Sequence, residues 1–120
     1  MRVFVVDDEV IIAQTLSIIL EKHGFLVKYF TSPLDALIAA SHNPPDLLIS
    51  DVVMAEFNGV DLAIAIKESA ADCKFLLLSG QANTVDLLLS ARLRGYDFPL
   101  EAKPMYPTDL ISRIEALLHP

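Results

Sequence analysis

The run Leu47-Leu48-Ile49-Ser50-Asp51 constrains the fold of this chain more than any other stretch. It is a short apolar run that Pro44 and Pro45 separate from the preceding segment, and it ends on a carboxylate. A run of this length between breakers is typical of a strand buried on both faces, as at the centre of a parallel sheet. Because ligands bind at the carboxyl ends of such strands, we predict that Asp51 faces a functional site.

Three further strand-like runs also end at chemically reactive groups. Val3–Val6 is followed by Asp7 and Asp8, Phe75–Leu78 by Ser79, and Phe98–Ala102 by Lys103. Parallel strands bring their carboxyl ends to one edge of a sheet. The sequence therefore predicts a site that combines acids, a hydroxyl and an amine.

Helical patterns alternate with the predicted strands along the whole chain. Strands are predicted at Arg2–Val6, Phe25–Phe30, Leu47–Asp51, Lys74–Leu78 and Phe98–Ala102, and helices at Glu9–Lys22, from Pro33 to about Ser41, from Gly59, at about Ala82–Arg94, and at Pro107–Leu118. Such (βα)5 alternation predicts an α/β fold, a doubly wound five-stranded parallel sheet covered by helices on both faces. A proline is tolerated only in an edge strand, so Pro99 favours the flavodoxin-like order 2-1-3-4-5.

The buried faces of the helices are predicted from the spacing of apolar residues. The second helix is expected to bury Leu34, Leu37 and Ile38, and the fourth Val85, Leu88 and Leu89. The fourth helix also carries Leu87 and Leu93, more leucine than one buried stripe can use, which suggests an interaction patch.

Composition excludes several classes of protein. The 120 residues fit one domain spanning 1–120, and 53% hydrophobic residues exclude a disordered chain. The net charge of −7 argues against direct nucleic-acid and membrane-surface binding. Cys73 is the single cysteine, so no internal disulfide forms, and we expect a cytoplasmic protein.

The predicted order places Asp7, Asp8 and Asp51 at the point where strands one and three are neighbours. Three crowded carboxylates repel one another unless a cation intervenes. Mg²⁺ takes carboxylate oxygens and shares its remaining positions with phosphate oxygens, which Ser79 and Lys103 are suited to contact. A carboxylate can itself attack phosphorus and form an acyl phosphate. Asp51 is the candidate nucleophile. Asp7 and Asp8, taken alone, have a simpler explanation, because the dipole at a helix N-terminus favours acidic residues there.

With these residues in place, the chain resembles a chemotaxis-regulator-like response-regulator receiver domain of two-component signalling, over essentially its whole length. The matching residues are Asp7-Asp8, Asp51, Gly59, Ser79 and Lys103-Pro104. The resemblance implies Mg²⁺-dependent transfer of a phosphoryl group to Asp51 from a sensor histidine kinase or phosphotransfer protein. We expect Asp8 and Asp51 to bind Mg²⁺ directly, Asp7 to contribute through water, and the backbone carbonyl of Val53 to be a further ligand.

The resemblance also implies a partner. A downstream protein would read the face formed by helix 4, strand 5 and helix 5, and a homodimer that forms on phosphorylation fits the same surface. Such a domain assists its own phosphotransfer and dephosphorylation and is no turnover enzyme. We expect a single-domain receiver; the alternative is the N-terminal receiver fragment of a longer DNA-binding regulator or hybrid kinase.

Several residues depart from the family pattern. Ala55 stands where the loop after the acceptor usually has proline, Leu100 replaces the usual aromatic switch residue on strand 5, and Met105 follows Lys-Pro where an aromatic is common. None of them bears on the phosphorylation chemistry, but all bear on how phosphorylation is read out.

Two other functions share parts of this pattern. A flavodoxin-like cofactor carrier needs a Ser/Thr/Gly-rich phosphate loop after strand one, whereas that loop is acidic here. A haloacid-dehalogenase-type phosphatase expects a second acid two residues after its nucleophile, where this chain has Val53. Incubation with acetyl phosphate and Mg²⁺, followed by intact-mass detection of one added phosphoryl group, distinguishes a receiver domain from these alternatives.

Overall fold

The computed structural model describes residues 1–80 and 84–120, and it confirms the predicted α/β architecture. The strands are β1 (Arg2–Val6), β2 (Leu26–Phe30), β3 (Leu47–Asp51), β4 (Lys74–Ser79) and β5 (Leu100–Ala102), and the helices are α1 (Val10–Lys22), α2 (Pro33–His42), α3 (Gly59–Ser69), α4 (Val85–Leu93) and α5 (Pro107–Leu118). The strands form one parallel sheet in the order β2-β1-β3-β4-β5. Within the described ranges, no helix is both long enough and apolar enough to cross a membrane.

The central strand β3 is buried on both faces because alternate side chains enter two separate cores. Leu48 packs among residues from α2, α3 and α4 on one face. Leu47 and Ile49 pack with residues from α1 and α5 on the other. This two-sided burial leaves only the carboxyl end of β3 available for polar chemistry.

Local sequence signals begin the helices beside that edge. The Ser32 hydroxyl accepts a hydrogen bond from the backbone N–H of Asp35, with Pro33 at the first helical position of α2. The Asn58 side chain caps α3 in the same way by accepting from Asp61. At the other end of α1, Gly24 has φ of +89°, in the left-handed region that glycine adopts after a helix.

The predicted start of β5 at Phe98 is wrong. β5 begins at Leu100, so Pro99 precedes the strand and its carbonyl accepts a hydrogen bond from Leu77. The edge position inferred from Pro99 is nevertheless confirmed. The described part of α4 begins at Val85, and the predicted start at Ala82 lies outside the described residues.

The predicted buried faces of α2 and α4 are also partly wrong. On α2 the small residues Ala36 and Ala40 are buried, while Leu34 and Ile38 are exposed. Alanines permit the backbone of α2 to lie close against the sheet, which turns the larger side chains outward. On α4, Ala91 is buried and Leu87 and Leu88 pack against the core, whereas Val85, Leu89 and Leu93 are exposed.

Candidate functional site at the carboxyl edge of the sheet

Three carboxylates meet where β1 and β3 end. Val6 is paired with Ser50 in the parallel register, so the residues that follow these two lie side by side. Asp7, Asp8 and Asp51 each place a carboxylate oxygen within 4.8 Å of the others. Asp7 is buried, Asp51 is partly buried and Asp8 is exposed, which gives the cluster one side open to solvent. The predicted convergence of these acids is therefore present.

Lys103 brings the opposite charge into this cluster. Its Nζ donates to Oδ2 of Asp7 at 2.6 Å and lies 3.3 Å from Oδ2 of Asp51. The backbone N–H of Lys103 donates to the carbonyl of Ser79, which fixes the end of β5 beside the end of β4. The peptide bond from Lys103 to Pro104 is cis. One ammonium group thus bridges two of the three acids.

Asp7 has both of its carboxylate oxygens engaged within the chain. Oδ1 accepts from the backbone N–H of Glu9 at 2.9 Å, and Oδ2 accepts from Lys103. The Asp7 side chain is only 2% exposed. Both carboxylate oxygens of Asp7 therefore already have a partner within the chain.

Burial and charge set the protonation behaviour of the bridged pair. Burial raises the pKa of the Asp51 carboxyl; the Lys103 ammonium opposes that shift and the charge of Asp7 adds to it. For Lys103, burial alone lowers the pKa of the ammonium, but its hydrogen bond to Asp7 and the charges of Asp7 and Asp51 outweigh burial and raise it. Lys103 is therefore charged at neutral pH. Its single ammonium does not fully offset the free-energy cost of burying the ionised carboxylate of Asp51.

Gly59 holds the backbone of Asp51 in place through its small size. A Cβ at Gly59 would lie 2.1 Å from the Asp51 carbonyl oxygen, a distance that no side chain can occupy. The Gly59 N–H donates to the carbonyl of Val52 at 2.8 Å, and the Val52 N–H donates to the carbonyl of Leu78. The segment that follows Asp51 is therefore fixed to both α3 and β4.

The other two predicted site residues lie on the same edge. Ser79 is the last residue of β4 and is buried, one register step beyond the Asp51–Leu78 pair. Val53 lies in the loop after β3 with its side chain 40% exposed. The position two residues after Ser79, Gln81, lies outside the described residues.

One contact at this edge was not predicted from the sequence. The Ser32 hydroxyl, at the start of α2, donates to Oε1 of Glu56 in the loop after Asp51 at 2.5 Å. The two residues are 24 positions apart. A serine directly before Pro33 is typical of a helix cap, but no pattern in the sequence indicates that the same hydroxyl also reaches this loop.

The sequence matches the family described as the response regulator receiver domain over residues 3–115. The chain belongs to this family. The resemblance that the sequence predicts, to a response-regulator receiver domain, is therefore confirmed.

Curated relatives of this receiver domain are longer regulators. It is 32% identical over 116 residues to the transcriptional regulatory protein CreB of Escherichia coli, covering 97% of this chain and 50% of CreB. It is 29% identical over 117 residues to the DNA-binding response regulator MtrA of Mycobacterium tuberculosis, covering 98% of this chain and 50% of MtrA. The chain thus spans about half the length of the curated relatives it matches.

Solved structures share the fold of this receiver domain. The response regulator protein TrrA of Thermotoga maritima, solved in complex with Mg²⁺-BeF, has a TM-score of 0.84 and 26% identity over 98% of each chain. The chemotaxis protein CheY4 of Vibrio cholerae has a TM-score of 0.85 over 98% of each chain; at 24% identity this likeness shows the fold alone.

Proposed function

We propose that this receiver domain is a phosphorylatable signalling switch in which Asp51 accepts a phosphoryl group with the help of Mg²⁺. The observation that carries the proposal is the Lys103 ammonium between Asp7 and Asp51, inside a cluster of three carboxylates. A carboxylate nucleophile beside a fixed cation suits phosphoryl transfer, which needs positioning and charge neutralisation more than covalent chemistry. The relative TrrA was solved with Mg²⁺-BeF, which supports the same ligand class here.

The donor set fits Mg²⁺. Carboxylate oxygens are the hard ligands this ion prefers, and one lysine leaves the three acids with excess negative charge. Asp8 and Asp51 would bind the ion directly, Asp7 through water, and Val53 through its backbone carbonyl. When bound, Mg²⁺ neutralises charge that develops on the phosphoryl oxygens.

The chain's own residues would then perform the transfer from a phosphohistidine donor. A carboxylate oxygen of Asp51 attacks phosphorus, the phosphorus–nitrogen bond of the donor breaks, and the electron pair of that bond leaves with the imidazole. Lys103 and the Ser79 hydroxyl stabilise the phosphoryl oxygens. The product is an acyl phosphate on Asp51, and water later cleaves it, so the domain assists its own reactions and is no turnover enzyme.

Acetyl phosphate provides the direct test. In the presence of Mg²⁺, intact-mass measurement should show one added phosphoryl group on the wild-type chain and none on Asp51→Asn. Asp72→Asn, which removes an exposed acid in the loop before β4, is the matched control and should label like wild type. Full labelling of Asp51→Asn would show that the acceptor is misassigned.

We further propose that residues 1–120 form one receiver unit that works in the cytoplasm with a histidine kinase and a downstream protein. The exposed residues of α4 place apolar surface on the proposed output face, formed by α4, β5 and α5. Because the curated relatives are about twice as long, the unit stands either alone or as the receiver part of a longer regulator. The intact mass of the protein purified from its native source separates these two cases.

A further inference from the structure

The loop that follows Asp51 is anchored at both of its ends. At its start, Val52 is fully buried and bonded to β4, and Met54 enters the core below α3. At its end, Asn58 caps α3 and Gly59 donates back to Val52. Between these anchors, Ala55 and Glu56 are two consecutive exposed residues, and Val53 is an exposed residue between buried Val52 and Met54.

This exposed middle lacks the usual means of stiffening a loop. A proline stiffens a loop because it restricts the backbone conformations that the loop can adopt. This chain has Ala55 at the position where the family usually has that proline. Val53, the expected carbonyl ligand, lies two residues before Ala55, with only Met54 between them, so movement at Ala55 and Glu56 would reach that carbonyl through one buried residue. A contact that fixes the middle of the loop would therefore affect metal binding.

The Glu56–Ser32 hydrogen bond is such a contact. The Ser32 hydroxyl accepts from the Asp35 N–H and donates to Glu56, so one side chain caps α2 and ties the loop to it. A hydroxyl suits this double role, since it has one donor and two acceptor sites. The Glu56 carboxylate also lies at the N-terminus of α2, where the helix dipole favours negative charge.

We infer that Glu56 is a positioning residue of the phosphorylation site: its hydrogen bond to Ser32 orders the loop that presents Val53 to the metal. This inference rests on the proposed function, because it concerns the same Mg²⁺ site. A bond of this kind, worth about a factor of five to ten in an equilibrium constant, sets the expected size of the effect.

Four variants separate the tether from other roles of the two side chains. Glu56→Ala removes the acceptor, whereas Glu56→Gln keeps an oxygen that Ser32 can donate to. Ser32→Asp keeps a helix cap but removes the donor and places two carboxylates together, whereas Ser32→Thr keeps the hydroxyl. Glu68→Ala, which removes the acceptor of the Tyr96 hydroxyl at the far end of α3, is the control.

Two measurements complete the test. In metal-free protein, amide hydrogen exchange at residues 53–57 should accelerate about fivefold in Glu56→Ala and Ser32→Asp, and stay at the wild-type rate in Glu56→Gln, Ser32→Thr and Glu68→Ala. The Mg²⁺ dissociation constant from calorimetry should rise by a similar factor in the first pair alone. Suppose that wild type binds Mg²⁺ and gains a phosphoryl group from acetyl phosphate. If Glu56→Ala then matches wild type in both hydrogen exchange and the Mg²⁺ dissociation constant, the tether is wrong and the proposed function stands. If wild type does neither, both are overturned.

Discussion

Gly59 and Asp51 are in such close contact that a β-carbon on the glycine would lie 2.1 Å from the aspartate's carbonyl oxygen. The obstacle is backbone, which cannot rotate away as a flexible side chain can. The start of α3 and the end of β3 would have to separate to admit a methyl group. The position of Asp51 therefore depends on a residue that carries no functional group.

Gly59→Ala should lower the free energy of unfolding by roughly 1–3 kcal/mol or more, because overpacking against a backbone atom forces the chain to shift. Urea unfolding measures this directly. Gly80→Ala is the matched control, since its β-carbon would meet Lys103 at an ordinary 3.9 Å. Equal stability of the two variants would contradict the close contact.

Magnesium binding should depend unequally on the acids. Asp8→Asn and Asp51→Asn should each raise the Mg²⁺ dissociation constant by about tenfold or more, because each loses a direct carboxylate ligand. Isothermal titration calorimetry at fixed ionic strength gives both constants. An unchanged constant for Asp8→Asn would place the ion elsewhere.

In metal-free protein, Asp51→Asn should raise the thermal midpoint at neutral pH. Burial raises the pKa of Asp51 above its ordinary 3.8, so the folded form binds the proton more tightly than the unfolded form. The charged carboxylate therefore lowers stability at neutral pH, and this loss disappears as the pH falls below about 3.8. Melting curves at pH 7 and pH 3.5 should show the gain of the variant at the higher pH only.

The fold was predictable from the sequence because its signals are local and redundant. The buried run that ends at Asp51 and the five βα repeats specify the sheet, and the carboxyl ends of parallel strands bring the acids together. The faces of α2 were less predictable, because leucine and isoleucine occupy more than one stripe and the sequence does not show that Ala36 and Ala40 face the sheet. The bonds of Lys103 to Asp7 and of Ser32 to Glu56 join side chains 96 and 24 residues apart, and no local pattern encodes them.

Dephosphorylation should be comparatively slow, because Val53 offers no hydrogen bond to orient an attacking water. Val53 is 40% exposed, so a polar side chain can replace it without entering the core. Val53→Asn should speed phosphate loss, which the decay of the phosphorylated mass reports. Val53→Ala, equally unable to orient water, is the control, and an unchanged or slower decay in Val53→Asn would contradict the idea.

The output surface should depend on exposed apolar residues of α4. Leu93 is 82% exposed, whereas Leu87 packs against the core. Leu93→Lys should therefore leave the thermal midpoint nearly unchanged and weaken self-association or partner binding in the presence of beryllofluoride. Light scattering with and without this phosphoryl mimic checks the self-association. Unchanged self-association and partner binding would remove Leu93 from the output surface.

Phosphorylation of Asp51 should reach that surface without an aromatic switch residue. In the family, an aromatic residue on strand 5 turns inward when the hydroxyl residue of strand 4 moves toward the phosphoryl group. Here Leu100 holds that position, is paired with Leu77 in the sheet, and packs against the core that includes α4. Phe98 is buried against Phe75 about one strand repeat away, so it cannot take over directly.

We therefore expect a weaker change on the output face than an aromatic switch would give. The response should concentrate at residues 80–85, where Gly80 has no side chain to resist backbone movement. Hydrogen exchange with and without beryllofluoride should show large changes there and little change at Leu100 or along α5. Leu100→Tyr, which restores a ring at this position, should extend the response into β5 and α5. A strong response of the native chain at Leu100 would show instead that a leucine suffices for the coupling.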